Sequence, residues 1–365
     1  MDSTARARET DRLYGYKATA IIILTIVVPS IITLMSVREP RTPMYPPEVA
    51  RPISPYGYTL SLSLFAIPVL MLGLWFQRHP RFNYQRTAFW ITLACLIPAG
   101  FLLDLIWGCT FFTFPNREAV IGIWIPARGG EVPLEEFFFY SLGFIAVLKT
   151  YIWLDEYWLR AYHVDRLRLR TREIPRVIQF HAGPIVIGAL LFLVGLVYKK
   201  LWSDHPEGIP GYYLFELAVA VVPTMLLYRT AAPFINWRAL TFTYFLLMLV
   251  SLLWEATVAL PYGWWGYKPE ALIGITIWAW TNLPIEEPLL WSSVSIATIV
   301  WYEAMKVFLA MDRSPMHALF GIKPPCTPEP SDPEPAMAQG RRRRRHRRRL
   351  NRARSVSKPS EPAPE

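Results

Sequence analysis

Long apolar runs recur along the chain, and short segments rich in Arg, Pro and Gly separate them. A helix that crosses a bilayer needs about 20 mostly apolar residues. The runs therefore predict an all-α integral membrane protein with about eight transmembrane helices. They lie at residues 18–37, 58–76, 88–107, 134–153, 178–198, 212–228, 239–260 and 284–308. The first run lacks a small-residue cleavage site, so we expect a retained helix and not a signal peptide.

Composition agrees with this assignment, because 53% of the 365 residues are hydrophobic and the mean hydropathy is +0.24. The three cysteines have no paired spacing, so we expect neither a disulfide framework nor a zinc site. The six histidines do not cluster with carboxylates at ligand spacing in the sequence, and we expect no metal. We predict no strands and find no G-x-G-x-x-G motif, so no dinucleotide-bound flavin or other cofactor is expected.

The formal net charge of +10 reflects one segment, since ten arginines lie between Arg341 and Arg354. Residues 323–365 are rich in Pro and Arg and cannot bury a core, which predicts a disordered tail. Nucleic-acid binding or a nuclear address is one interpretation of the tail. We favour contact with anionic lipid and expect no specific nucleic acid partner. Arg and Lys are concentrated in alternate loops, which predicts that both termini are cytosolic. In a eukaryote we expect the endoplasmic reticulum membrane. The oligomeric state stays open.

The two halves of the chain share a pattern at an offset of 151 residues. This offset takes Pro133 to Pro284, the Glu135–Glu136 pair to Glu286 and Glu287, and Asp104 to Glu255. The segment YGY at 56–58 resembles GYY at 211–213. The pattern predicts two tandem four-helix repeats, at residues 1–160 and 161–322. Because each repeat has an even number of spans, the repeats have the same, parallel orientation.

Each Pro-x-Glu-Glu motif opens an apolar, aromatic helix, where charge is costly. One interpretation is that the glutamates cap the helix and favour its dipole. Two copies, each with an upstream acid, favour function instead. A carboxyl group that apolar burial keeps neutral can act as a general acid. Glu135, Glu136, Glu286 and Glu287 are therefore the candidate catalytic residues, with Asp104 and Glu255 as their acidic partners.

Aromatic residues surround these motifs in the sequence. An aromatic face attracts a cation by about 0.5–2 kcal/mol, although membrane proteins also use Trp as an interfacial anchor. An acid in an aromatic pocket inside a bilayer suits protonation of an alkene and stabilisation of the carbocation. The candidate substrate- and cation-binding residues are Tyr140, Trp254, Trp265, Tyr267 and Trp291.

These motifs resemble those of the membrane-integral lycopene β-cyclase family, whose members are bacterial two-subunit, fused archaeal and fungal bifunctional proteins. The family resembles this chain in three features. It has a tandem duplication, a Pro-x-Glu-Glu motif in each half, and a Trp-Asp motif and a Trp-x-Tyr motif upstream of it. The segment from Trp254 to Gly274 matches the second half if Glu255 stands for the Asp, with Trp265 and Tyr267 in the Trp-x-Tyr places. The first half departs, with Leu103 before Asp104 and Phe114 in place of the second Trp.

The resemblance implies a redox-neutral cyclisation of a linear polyene, started by protonation of its terminal alkene. The substrate would be a hydrophobic isoprenoid taken from the bilayer. The departures leave open another terpenoid or meroterpenoid that is cyclised by the same chemistry. An intramembrane CAAX-type protease is disfavoured, because Tyr140 and Trp291 stand where its motif has Arg. A proton-coupled transporter is the alternative from another class, since buried carboxyl groups and parallel repeats also suit such a carrier.

Overall fold

The computed structural model describes residues 54–79, 82–163, 171 and 173–322. Seven helices in this part of the chain are long and apolar enough to cross a membrane. They are α1 (Gly57–Arg78), α2 (Arg86–Phe111), α3 (Leu134–Trp158), α4 (Ala182–Trp202), α5 (Gly211–Ala231), α6 (Trp237–Ala259) and α7 (Glu286–Ala310). They coincide with the second to eighth predicted spans, and the first, 18–37, lies outside the described residues. The fold indicates a multi-pass membrane protein.

Three short β-ribbons occupy the loops at one end of the helices, which corrects the expectation of no strands. Strands of two to four residues are too short to show a hydrophobic periodicity from which they could be predicted. A short helix, α8 (Pro315–Phe320), follows α7. The antiparallel ribbons pair β1 (Phe112–Thr113) with β4 (Gly266–Tyr267), β2 (Trp124–Ala127) with β3 (Gly130–Pro133), and β5 (Thr276–Ile277) with β6 (Leu283–Pro284).

Four of the long helices contain a π-helical turn, a wide turn that is rare and is frequent at functional sites. The acidic residues Asp104 and Glu255 each begin one of these turns. The wider turn changes the direction in which the following side chains point. The turns span Asp104–Gly108 in α2, Leu154–Trp158 in α3, Leu217–Val221 in α5 and Glu255–Ala259 in α6.

The helices bury one face in a common core and leave large apolar side chains on the opposite surface. Helices α2, α3, α6 and α7 supply most of the largest cluster of buried residues, including Tyr151 and Tyr302. Many of the exposed apolar residues lie on α1, α4 and α6, and Leu64 and Val194 are among them. A surface of this kind suits contact with lipid chains.

Contacts divide the chain into one compact unit up to Gly321 and a second unit from Ile322. The predicted boundary between the repeats, at 160/161, lies within the first unit and stays a prediction. The tail at residues 323–365 lies outside the part of the chain that the structure describes.

Candidate functional site

The two predicted glutamate pairs are buried in the first turns of α3 and α7. Pro133 ends β3, and α3 begins at the next residue. Pro284 ends β6, and α7 begins two residues later. Neither proline therefore lies inside the first helical turn. Both prolines are the last residues of a ribbon, and the turn out of the ribbon carries the glutamates inward.

The first glutamate of each pair ties its helix to the loop that precedes it. Oε1 of Glu135 accepts hydrogen bonds from the backbone N–H of Ile121 (2.8 Å) and from the hydroxyl of Thr59 (2.5 Å). Oε1 of Glu286 accepts one from the backbone N–H of Ile273 (2.6 Å). Because these carboxyl groups are used to hold loops, they position the site.

The second glutamate of each pair accepts a hydrogen bond from a buried tyrosine. The hydroxyl of Tyr58 donates to Oε1 of Glu136 (2.8 Å), and that of Tyr212 donates to Oε1 of Glu287 (2.9 Å). Each tyrosine is the second residue of its helix, α1 or α5. The two pairs are thus held in the same way by different parts of the chain.

Glu136, Glu255 and Glu287 line one small cavity of about 30 Å³. A cavity of this size holds about one water molecule. The site therefore brings together three of the six predicted acidic residues and two of the predicted aromatic residues. The other lining residues are Phe112, Phe114, Phe139, Tyr140, Trp265 and Leu290.

Glu255 is the upstream acid of the second half of the sequence, and it contacts the helix that carries the second glutamate pair. Its Oε1 accepts a hydrogen bond from the indole N–H of Trp291 at 2.7 Å. Glu255 and Glu287 line the same small cavity and lie close enough for their charges to interact. Two neighbouring buried carboxyl groups favour the form in which they hold a single proton between them. The pair can therefore hold a transferable proton.

Asp104 occupies the corresponding place in the first half, at the start of the π-helical turn of α2. Its carboxyl group is buried, and Oδ2 has no hydrogen-bond partner among the described residues. Asp104 lies close enough to Glu136 for their charges to interact. It does not line the small cavity, so it acts on the site through Glu136.

Tyr267 lies in β4, outside the membrane-spanning helices, and its hydroxyl is close enough to Glu287 to interact with the charge of that carboxyl group. Burial, followed by the negative charges of Glu287 and Glu255, raises the pKa of Tyr267 well above its usual value. The phenol thus stays protonated and can donate. The indole N–H of Trp265 donates to the Tyr267 hydroxyl at 3.3 Å and orients it.

Aromatic rings form the wall of the site around Phe139. The ring of Phe139 lies 5.7 Å from Trp254, 6.2 Å from Trp265 and 5.5 Å from Trp291, between ring centres. All three tryptophans are buried. Not every aromatic residue near the motifs belongs to this wall, because Phe138 is 60% exposed and Trp278 is 43% exposed.

A large apolar cleft adjoins this wall, with a volume of about 790 Å³. Helices α1, α3 and α6 form its sides, and Phe139 lines both this cleft and the small cavity. Met71, Leu246 and Val250 line the cleft and are also exposed on the apolar surface. The cleft therefore opens on the lipid-facing side of the helices, and its volume lies in the range of ligand-binding cavities.

Four residues of the site were not singled out from the sequence. Tyr58 and Tyr212 were noticed only as parts of the repeated YGY and GYY segments, and that repetition was the available signal. Phe139 is one of three consecutive phenylalanines, and only the fold shows which of them faces inward. Glu216 is buried one helical turn after Tyr212, and neither of its carboxyl oxygens has a partner in the described part of the chain.

A second buried polar cluster lies at the C-terminal ends of α3 and α7. Asp155 contacts His163 (2.9 Å) and Asn236 (2.9 Å), and Glu156 lies 4.0 Å from His163. From the sequence we expected no histidine to cluster with carboxylates at ligand spacing. This is wrong for His163, because the chain turns back after α3 and brings its imidazole to Asp155 and Glu156. The ammonium group of Lys306 lies 4.0 Å from Asp155 and balances part of this negative charge.

Searches of the sequence against protein-family models and characterised proteins, and of the fold against solved structures, find no match.

Proposed function

We propose that this protein is a membrane isoprenoid cyclase that acts by acid-initiated, redox-neutral cyclisation of a linear polyene, as a lycopene β-cyclase does. One observation carries the proposal. Glu136, Glu255 and Glu287 surround one aromatic-walled cavity, and the cavity shares Phe139 with an apolar cleft that opens towards lipid. An acid, a cation-stabilising wall and a lipophilic chain site are the parts that this reaction needs.

The reaction transfers one proton in and one proton out. A carboxyl group donates a proton to the terminal trisubstituted alkene, and the electron pair of that alkene forms the new C–H bond. The tertiary cation is then attacked by the electron pair of a second alkene, which closes the ring. A carboxylate removes a proton next to the new cation, and the C–H electrons form the product alkene. The product is an isomer of the substrate, so no oxidant or reductant is needed.

The proximity of Glu255 and Glu287 in one small cavity supports these two residues as the acid, because neighbouring buried carboxyl groups favour sharing one proton. Glu136 also lines the cavity and accepts from Tyr58, so it can serve as the carboxylate that takes the proton back. The rings of Phe139, Trp265 and Tyr140 line the same cavity as these groups. They can stabilise a carbocation without reacting with it.

We also propose that the two halves are tandem repeats that share this one site. Equivalent contacts support this arrangement. Tyr58 and Tyr212 bind the second glutamate of each pair, and π-helical turns begin at both Asp104 and Glu255. β1 pairs with β4 so that Phe112 lies opposite Tyr267 and Thr113 opposite Gly266. Such reciprocal pairing is expected across a pseudo-twofold axis.

The substrate is proposed to be a linear polyene or another terpenoid or meroterpenoid with a terminal trisubstituted alkene. A proton-coupled transporter is the rival function. The cyclase is supported by the apolar lining of the cleft, in which the polar side chains other than Trp are Lys149, Thr150 and Ser251. A carrier for a polar solute would need more hydrogen-bonding groups there.

The test is to express the full chain in hosts that make linear isoprenoids of several chain lengths and to identify the products by mass spectrometry and NMR. We expect a cyclic isomer of one precursor. Glu136→Gln and Glu287→Gln should each lower its formation by about 10²–10⁴-fold, the usual contribution of general acid–base catalysis. Glu118→Gln is the control, since Glu118 is exposed in a loop. If the inserted protein changes no precursor, or if both variants keep wild-type turnover, the proposal is wrong.

A further inference from the structure

Lys149 places a positive charge within the apolar cleft. It belongs to α3 and lines the cleft together with Thr150. Lys149 follows Glu136 by 13 residues, which corresponds to about 20 Å along the helix axis at about 1.5 Å per residue. The cleft therefore has an acidic site near one end and a cation near the other.

The amine of Lys149 is directed across the cleft to the middle of α1. Its Nζ donates a hydrogen bond to the backbone carbonyl of Val69 at 2.9 Å. Val69 lies nine residues from the end of α1 at Arg78, or about 14 Å at the same rise per residue. A lysine near a helix end usually extends to the membrane surface, whereas this one stays inside.

Lys149 makes no salt bridge with any carboxylate in the part of the chain that the structure describes. Its only acceptor there is the neutral carbonyl of Val69. A charge within a membrane-spanning segment is costly unless it is paired or serves a ligand. The position therefore calls for an anionic partner from outside the described chain.

We propose that Lys149 binds the oxyanion end of a single-headed isoprenoid whose terminal alkene lies at the acidic cavity. The inference rests on the proposed cyclase function and deepens it by naming the substrate class. A carboxylate or a phosphate monoester supplies the missing negative charge and accepts hydrogen bonds from the amine. A symmetric hydrocarbon would leave the ammonium group facing apolar atoms, which is unfavourable.

The distance between Lys149 and the acidic cavity sets the length of the prenyl ligand. An extended backbone covers about 3.4 Å in three bonds. An isoprene unit contributes four bonds, which makes about 4.5 Å per unit on the same geometry. The rise of about 20 Å between Glu136 and Lys149 along α3 therefore corresponds to a ligand of about four isoprene units. The favoured ligand is a prenyl chain of that length.

The test measures binding and does not depend on turnover. Trp75, Trp153, Trp254 and Trp291 line the cleft, so ligand binding should change the tryptophan fluorescence of the purified full-length protein in detergent. The probes are geranylgeranoic acid, geranylgeranyl phosphate and the neutral alcohol geranylgeraniol. The first two distinguish a carboxylate from a phosphate headgroup. The alcohol reports on the apolar part of the site alone.

We expect the better of the two anionic probes to bind the wild-type protein more tightly than the alcohol. Lys149→Met, which keeps the length but not the charge, should weaken binding of that probe by about 10- to 100-fold, the contribution of a charge-assisted hydrogen bond. It should leave binding of the alcohol unchanged. Lys149→Arg should restore most of the difference. Lys200→Met is the matched control, because Lys200 is exposed at the end of α4.

Equal affinities of the acid, phosphate and alcohol for the wild-type protein would overturn the inference. Equal losses for all three probes in Lys149→Met would overturn it as well, because they indicate a packing defect. The outcome is separate from that of the cyclase proposal. A Glu287→Gln variant should retain the headgroup preference although it cannot cyclise the substrate. If the wild-type protein shows the headgroup preference but cyclises no precursor, the proposed reaction alone is refuted.

Discussion

The indole N–H of Trp291 donates a 2.7 Å hydrogen bond to Oε1 of Glu255, so that α7 holds the carboxyl group which begins the π-helical turn of α6. The other oxygen, Oε2, has no hydrogen-bond partner within the described residues. The Trp291 bond is therefore the main constraint on a buried group beside Glu287. Its loss should disturb the acid pair more than it disturbs the fold.

We predict that Trp291→Phe lowers cyclisation about tenfold or more. The change keeps an aromatic ring but leaves a buried carboxyl oxygen without a donor, which costs about 1–3 kcal/mol. The measurement is the initial rate of product formation in membranes at equal protein levels. Trp278→Phe serves as the control, because Trp278 is 43% exposed. Equal rates for the two variants would show that this hydrogen bond is not used.

We predict that Tyr58→Phe and Tyr212→Phe have similar effects, because both hydroxyls donate to the second glutamate of a pair. Each variant loses one hydrogen bond to a carboxyl group, worth about 1.5–3 kcal/mol if the group is charged. Rates and melting temperatures of the single and double variants are to be compared. A loss of activity in only one of the two single variants would argue against a site shared by equivalent halves.

We predict that Phe139→Ala changes the product distribution. Its ring is common to the cleft and the small cavity, so truncation enlarges the space beside the cation, which can then hold more water. Alcohols formed by water capture should increase relative to cyclic alkenes, as gas chromatography with mass spectrometry would show. Phe138→Ala is the control, since the neighbouring ring is 60% exposed. Identical product profiles for both variants contradict a barrier role for Phe139.

We predict that His163 makes thermal stability depend on pH. Burial lowers the pKa of His163, but the hydrogen bond and charge of Asp155 outweigh it, and the pKa is raised above 6.5. Protonated His163 therefore contributes stability that is fully present below about pH 6.5 and is lost as the pH rises through the higher folded-state pKa.

The melting temperature of the wild-type protein, relative to His163→Gln, should thus fall between pH 6 and pH 9. Glutamine can donate a hydrogen bond to Asp155 but does not titrate in this range. The comparison with the variant removes the contribution of other groups that titrate there. A difference in melting temperature that is constant with pH, or that grows as the pH rises, would contradict the prediction.

The helices were predictable because crossing a bilayer requires a minimum apolar length. The predicted span at 239–260 and the observed α6 (Trp237–Ala259) differ by one or two residues at each end. The constant offset of 151 residues pointed to Glu136, Glu255 and Glu287 among six candidate acids, and these three line one cavity. Spacing could indicate this because carboxyl groups rarely recur inside apolar segments without a common purpose.

The division of labour within each glutamate pair was not predictable. Adjacent residues in a first helical turn look alike in sequence, and only the backbone N–H groups of Ile121 and Ile273 determine which glutamate faces the loop. The roles of Tyr58 and Tyr212 were hidden for a similar reason. A tyrosine at the start of a membrane helix is equally typical of an interfacial anchor.

On the proposed duplication, the π-helical turns would also record an order of events in the ancestry of the chain. A turn of this kind holds one residue more than the α-helical turn it replaces. The turns at Asp104–Gly108 and Glu255–Ala259 lie at the same place in the two halves. If the halves descend from one gene segment, that extra residue was acquired before the segment was copied. The turns at Leu154–Trp158 and Leu217–Val221 have α-helical counterparts in the other half, so on the same proposal they mark where the two copies diverged.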